Sequence, residues 1–222
     1  MTAPFTVFTA VLGDTDPLRR PLIVVPDVRY VCFSDRAVHV PPYETIRIVP
    51  AEGPRLTSRR LKILADHPAL ESPEFSLWHD AAFTLTSNPR GLVTLMDGAD
   101  LLALQHPHRS TIAEEAEAIA TLGYVDRTLL DRQVAAYTAL GFTQRAITST
   151  GLCLRRHTMP IANFNRIWWA EVRKWHWRDQ MSVDFARWLT ATKVRYLTGH
   201  YRDNPYARWT LYQPAREAAC RA

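Results

Sequence analysis

Glu74-Phe75-Ser76-Leu77-Trp78-His79-Asp80-Ala81-Ala82-Phe83-Thr84-Leu85 is the stretch on which the fold turns. Phe75 to Trp78 reads as a buried, central apolar strand, and an acid follows almost at once. Open α/β sheets bind ligands in the crevice at the carboxyl ends of their strands. Asp80 therefore stands where a free carboxylate can hold a divalent cation or a ligand hydroxyl. The same position also suits an Asp that only caps a turn. Phe83 to Leu85 reads as a further extended segment beyond that point.

Upstream, Thr6 to Leu12 is β-rich and is broken by Gly13-Asp14-Thr15-Asp16-Pro17, a turn by its chemistry. Tyr30 to Phe33 and Thr45 to Val49 read as the next strands, with Pro41-Pro42 marking a loop between them. Ser58 is in place to cap a helix through Arg60, Leu61 and Leu64 that ends before Pro68. Downstream, Leu92 to Met96 is apolar. Thr111 and Glu114 have capping-box spacing for a helix stopped at Gly123, and Asp126 to Leu140 forms a second helix ended by Gly141. Ala146 to Leu154 reads as a returning strand. Asn163 to Trp175 and Ser182 to Tyr196 read as helices separated by Arg178-Asp179-Gln180. Strands dominate the first half and helices the second, with some alternation, which predicts a single α/β or α+β domain.

The 222 residues suffice for one real core, and the 47% hydrophobic and 22% charged composition is that of a globular chain rather than a disordered one. No stretch approaches the roughly 20 apolar residues that span a bilayer, and the N-terminus reads as a first strand rather than a leader. Cys32, Cys153 and Cys220 are scattered, and the first two lie in apolar runs, so buried thiols are expected. These features point to the cytoplasm. A net charge of +5 suits an anionic partner. The basic residues come in short clusters (Arg59, Arg60 and Lys62; Arg155 and Arg156; Arg173 and Lys174), which favours a solvated surface over a nucleic-acid track.

Six blocks in fixed order carry a family resemblance: YVCFSD (Tyr30 to Asp35), SRRLKILADHP (Ser58 to Pro68), SLWHDAAFTL (Ser76 to Leu85), HPHRSTIAEEAEA (His106 to Ala118), GLCLRRHT (Gly151 to Thr158) and WWAEVRKWHWRDQMSVDF (Trp168 to Phe185). Over roughly Val7 to Trp188 the chain resembles the glycosyltransferase-like family of plant cell-wall and mucilage proteins and bacterial capsule-type proteins. The resemblance implies a GT-A-like mixed, mostly parallel sheet flanked by helices. It implies a single such domain over residues 1–198, with 199–222 as a tail packed on it. It also implies transfer of a sugar from a nucleotide-diphosphate donor to a glycan or other hydroxyl acceptor. A non-catalytic nucleotide-sugar or glycan-binding protein on the same fold is the alternative.

Such a site commonly uses an Asp-x-Asp pair to hold manganese or magnesium against the diphosphate, since these ions prefer oxygen ligands. Here the position reads Asp80-Ala81-Ala82, so the second carboxylate is missing. Asp80 and the late His200 are the expected metal ligands. His79 is adjacent to Asp80 but points to the opposite strand face. Asp35, Arg59, Lys62 and Asp80 are the expected donor contacts; Arg59 and Lys62 share a helix face that Arg60 does not. Each also has a plain structural reading, as a turn former or a solvated helix face. Asp179 is expected to act with Asp80 in catalysis, as general base or by binding sugar hydroxyls, though it equally reads as a helix N-cap. His108, Arg109, Trp177 and Arg178 are the expected acceptor contacts. Two histidines at 106 and 108 without a third donor argue against zinc.

Overall fold

A computed structural model describes residues 4–14 and 16–210; Cys220 and half of the expected tail lie outside them. The strands are β1 (Phe5–Val11), β2 (Arg29–Ser34), β3 (Glu44–Arg47), β4 (Phe75–His79), β5 (Phe83–Leu85), β6 (Leu101–Gln105), β7 (Thr148–Arg156), β8 (Val194–Leu197) and β9 (Ala207–Trp209). The helices are α1 (Pro54–Leu64), α2 (Ile112–Thr121), α3 (Arg127–Ala139), α4 (Met159–Lys174) and α5 (Gln180–Thr190). Seven strands form one sheet in the order β3-β2-β1-β4-β7-β6-β8, and β5 pairs with β9 in a separate two-stranded sheet. Within the large sheet only β7 runs antiparallel to its neighbours. This is a mixed, mostly parallel sheet flanked by helices, consistent with a GT-A-like fold, and β4 is its central strand as the apolar run predicts.

Every residue of β1 and of β4 is buried, because both faces of the sheet are covered. The pleat sends alternate residues to opposite sides. Val7 and Leu77 pack in one core layer with Leu102, Leu154 and the β5–β9 ribbon. Phe8, Trp78 and Cys153 pack in the other with Leu61 and Ile63 of α1 and Phe164 and Trp168 of α4. A third cluster joins α2, α3 and α5 through Ile119, Tyr137, Met181 and Phe185, with the Tyr137 and Phe185 rings stacked at 3.7 Å. Cys32 and Cys153 are buried free thiols, and burial pushes them up to about 12 and about 11.

Three expectations are corrected. α1 starts at Pro54, four residues before Ser58, because proline is preorganised for the first helical position and Gly53 supplies the unusual backbone before it. Ser58 is thus inside the helix. The helix expected to reach Tyr196 ends at Thr190, where Ala191 turns left-handed, and Val194–Leu197 pairs parallel with β6 as an edge strand. Arg155, expected on a solvated face, is fully buried. Its guanidinium donates to the carbonyls of Lys62 and Ile63, both at 2.8 Å, and so satisfies the last turn of α1. No helix among the described residues is long and apolar enough to cross a membrane.

Candidate functional site

The parallel pairing of β2, β1 and β4 brings their carboxyl ends to one edge of the sheet. The loop after β1 meets the start of α1 there: a Cβ on Gly13 would sit 2.9 Å from Pro54, so only glycine fits this approach, at φ 62°. Asp35, at the end of β2, accepts from the Gly13 N–H at 2.7 Å and ties that loop down. The expected donor residue Asp35 thus has a loop-holding partner.

At the end of β4 the Asp80 carbonyl accepts from the Phe83 N–H, closing a turn, while its own N–H donates to Gly151 O, both at 2.8 Å. The side chain does something further. Trp78 and Asp80 share a strand face, and the indole N–H donates to Asp80 Oδ1 at 2.8 Å. Lys62 Nζ stands 3.8 Å from the same oxygen. Asp80 Oδ2 makes no hydrogen bond among the described residues, and the side chain is 37% exposed. Gly151, opposite, leaves the space in which this carboxylate and the Phe83 ring sit. His79 faces the other way, hydrogen-bonded to the Tyr43 hydroxyl at 2.8 Å, and burial lowers its pKa to about 4.

Asp179 occupies the N-cap position of α5 but caps nothing. Its carboxylate turns inward instead, with Arg59 Nε 2.9 Å from Oδ1 and Lys62 Nζ 2.7 Å from Oδ2. Burial raises the Asp179 carboxyl, but the nearby Lys62 and Arg59 charges outweigh it and hold it at about 2. Lys62 also donates to Thr150 Oγ1 at 3.1 Å. The chain Asp80–Lys62–Asp179–Arg59 therefore joins residues from β4, α1 and the start of α5. Arg60 faces away to Asp66, as the helix periodicity predicts.

This arrangement revises two roles. Lys62, expected to touch the leaving group, is only 1% exposed and its ammonium is consumed by internal partners. Asp179, expected as a general base, is buried and held ionised by two cations, so its drive to take up a proton is small.

Beside Asp80 lies a cleft of about 240 Å³ lined by Asp14, Asp16, Arg55, Arg59, Trp177 and Arg178, among others. A wider cleft of about 560 Å³ adjoins it and shares Leu12, Asp14, Pro54, Arg55 and Trp177. Three guanidinium groups surround the Trp177 ring: Arg55 at 4.8 Å, Arg178 at 5.3 Å and Arg59 at 6.0 Å from its centroid. Arg178 also contacts Glu115, at 3.4 Å. Glu115 is fully buried and pairs at 2.5 Å with Arg109, whose guanidinium also meets His106. So Trp177 and Arg178 line the cleft, whereas Arg109 is held in the adjoining loop. His108 lies on that loop with its ring 5.5 Å from that of His200, which stacks on Tyr201.

A divalent cation at Asp80 is poorly served by these residues. Among the described residues no three His, Cys, Asp or Glu side chains gather closely enough to hold an ion. Ala81 and Ala82 offer no oxygen, His200 is packed with His108 and Tyr201, and Asp80 already faces the Lys62 ammonium. The donor set does not fit the expected manganese or magnesium site.

Arg55, Thr150, Glu115 and Gly151 are the residues that sequence reasoning passed over or left with weak support. For Arg55 a signal existed, since Gly53-Pro54 marks a helix start.

Residues 44–207 match the family model described as the TOD1/MUCI70, glycosyltransferase-like domain. The matched span contains Lys62, Asp80, Asp179 and the arginines around Trp177, and leaves Asp35 outside. A probable hexosyltransferase, MUCI70 of Arabidopsis thaliana, is 26% identical over 149 residues, which are 62% of this chain and 26% of that protein. The chain therefore spans about a quarter of that relative's length. With the family model covering most of its residues, the chain belongs to the TOD1/MUCI70 glycosyltransferase-like family.

Proposed function

We propose that the cleft beside Asp80 binds a nucleotide-diphosphate sugar and that the protein transfers the sugar to a hydroxyl of a glycan or similar acceptor. The observation that carries this reading is the ion-paired chain Asp80–Lys62–Asp179–Arg59 at the carboxyl end of the central strand, in a member of a glycosyltransferase-like family. Asp80 is the carboxylate of that chain with an oxygen free for a ligand. In the reaction the acceptor oxygen bonds to the anomeric carbon, the bond from that carbon to the diphosphate oxygen breaks, and the diphosphate leaves with the electron pair. The acceptor proton passes to Asp80. Lys62 and Asp179 act as positioning residues: Asp179 fixes Lys62, and Lys62 together with the Trp78 indole orients the Asp80 carboxylate. Trp177 offers a flat face to a sugar ring or base.

Turnover of a panel of sugar nucleotides, with and without simple glycan acceptors, tests the reading. Asp80→Asn keeps the shape and the hydrogen bond from Trp78, so it should retain donor binding and lose transfer. Equal transfer by Asp80→Asn would overturn the role of Asp80. Donor binding with no turnover by the wild type would favour the non-catalytic reading, which the missing second carboxylate at Ala82 keeps in play.

A further inference from the structure

Three of the cations at the cleft gather on one ring instead of each taking an acid of its own. Asp179 is one carboxylate serving two cations, Arg59 and Lys62. Glu115 is one carboxylate serving two more, Arg109 and Arg178. Lys62 also faces Asp80, so the first set is balanced, whereas Arg109 and Arg178 share Glu115 alone, which leaves one positive charge over. Arg55 adds another, with no carboxylate partner among the described residues. Arg55, Arg59 and Arg178 converge on one indole ring, and all three line the cleft beside Asp80.

We propose that this arginine cluster is a diphosphate clamp: guanidinium groups of Arg55 and Arg178, backed by Arg59, bind the phosphate oxygens directly, and no divalent cation is needed to neutralise the leaving group. Guanidinium is suited to this, because its fork of N–H donors matches phosphate oxygens and its charge is permanent. The indole holds the three groups at a fixed spacing while they repel one another, so the cluster is preorganised for a polyanion. The carboxylates in the same cleft, Asp14, Asp16 and Asp80, lie with it as acceptors for hydroxyl groups, not for phosphate. Phosphate toward the arginines and hydroxyls toward the acids is the polarity of a sugar diphosphate. The clamp rests on the transferase reading only for the identity of the full ligand; a bare diphosphate should already bind.

The test is calorimetry with inorganic pyrophosphate and with uridine diphosphate, in chelator and again in manganese. The wild type should bind both in chelator. Arg55→Ala, which breaks no ion pair of the fold, and Arg178→Ala should each weaken both ligands about tenfold, as loss of a charge-assisted hydrogen bond does. Arg195→Ala, on the edge strand β8, removes the same charge elsewhere and should change neither. Affinity that appears only with manganese, or that is unchanged in Arg55→Ala and Arg178→Ala, would overturn the clamp. Arginine-dependent binding without turnover of any sugar nucleotide would leave the clamp standing and remove the transferase reading. Sugar transfer that needs manganese and ignores Arg55 would do the reverse.

Discussion

Replacing Asp179 with asparagine isolates the electrostatic work at the centre of the site. The side chain keeps its shape, and its amide oxygen can still accept from Lys62. What disappears is the negative charge between Lys62 and Arg59. Breaking a buried pair in this way costs about 3–5 kcal/mol, and part of that cost must depend on pH. The Asp179 carboxyl lies at about 2 in the fold against 3.8 when unperturbed. A carboxylate whose pKa is lowered by folding contributes stability above its unfolded pKa, and that contribution is lost as pH falls through the folded value. The difference is worth about 2 kcal/mol at neutral pH and falls to about 1 kcal/mol near pH 3. Urea unfolding of the wild type and Asp179→Asn across pH 7 to 3 measures it, because other carboxylates titrate alike in both proteins and cancel. The gap between the two proteins should be several kcal/mol at pH 7 and narrow by about 1 kcal/mol at pH 3. A gap that stays constant with pH, or one under about 1 kcal/mol at pH 7, would refute the claim that Lys62 and Arg59 hold this carboxylate ionised.

Gly151→Ala would place a methyl 2.7 Å from the Phe83 ring and 3.4 Å from Asp80 Oδ2; we expect a loss of about 1–3 kcal/mol together with reduced donor turnover, read by thermal melting and by transfer assay, and wild-type behaviour in both would remove Gly151 from the site. Arg155→Lys should destabilise by several kcal/mol, because lysine cannot reach the carbonyls of Lys62 and Ile63 together; a melt within about a degree of wild type would show the guanidinium is dispensable. Thr111→Ala removes one half of the capping box on α2 and should cost about 1 kcal/mol while leaving turnover per folded molecule unchanged, which separates stability from site chemistry in the same assays.

What the sequence made legible, and what it hid, follows from the range of the interactions. The central strand and its acid could be read because burial and turn formation act over a few residues, and the helix periodicity alone separated Arg59 and Lys62 from Arg60. The pairing of α1 with Asp179 needed the fold, since nothing local tells a carboxylate at an N-cap position to abandon the cap for a lysine more than a hundred residues upstream. Arg155 was misread for a related reason. A basic residue beside another basic residue looks solvated until the end of a helix supplies carbonyls for it to bond. Arg55 was lost to a local error, the preference for Ser58 over Gly53-Pro54 as the helix start, which left the arginine in a loop. That shift matters to function. With α1 beginning at Pro54, Arg55 and Arg59 fall one helical turn apart on the same side, and both reach the Trp177 ring. The convergence of guanidinium groups then becomes a property of one wall of the cleft instead of a scatter along the chain. On the proposed reading, Asp80 lacks the second acid that a metal bridge would use, and the charge that offsets the diphosphate comes from that wall.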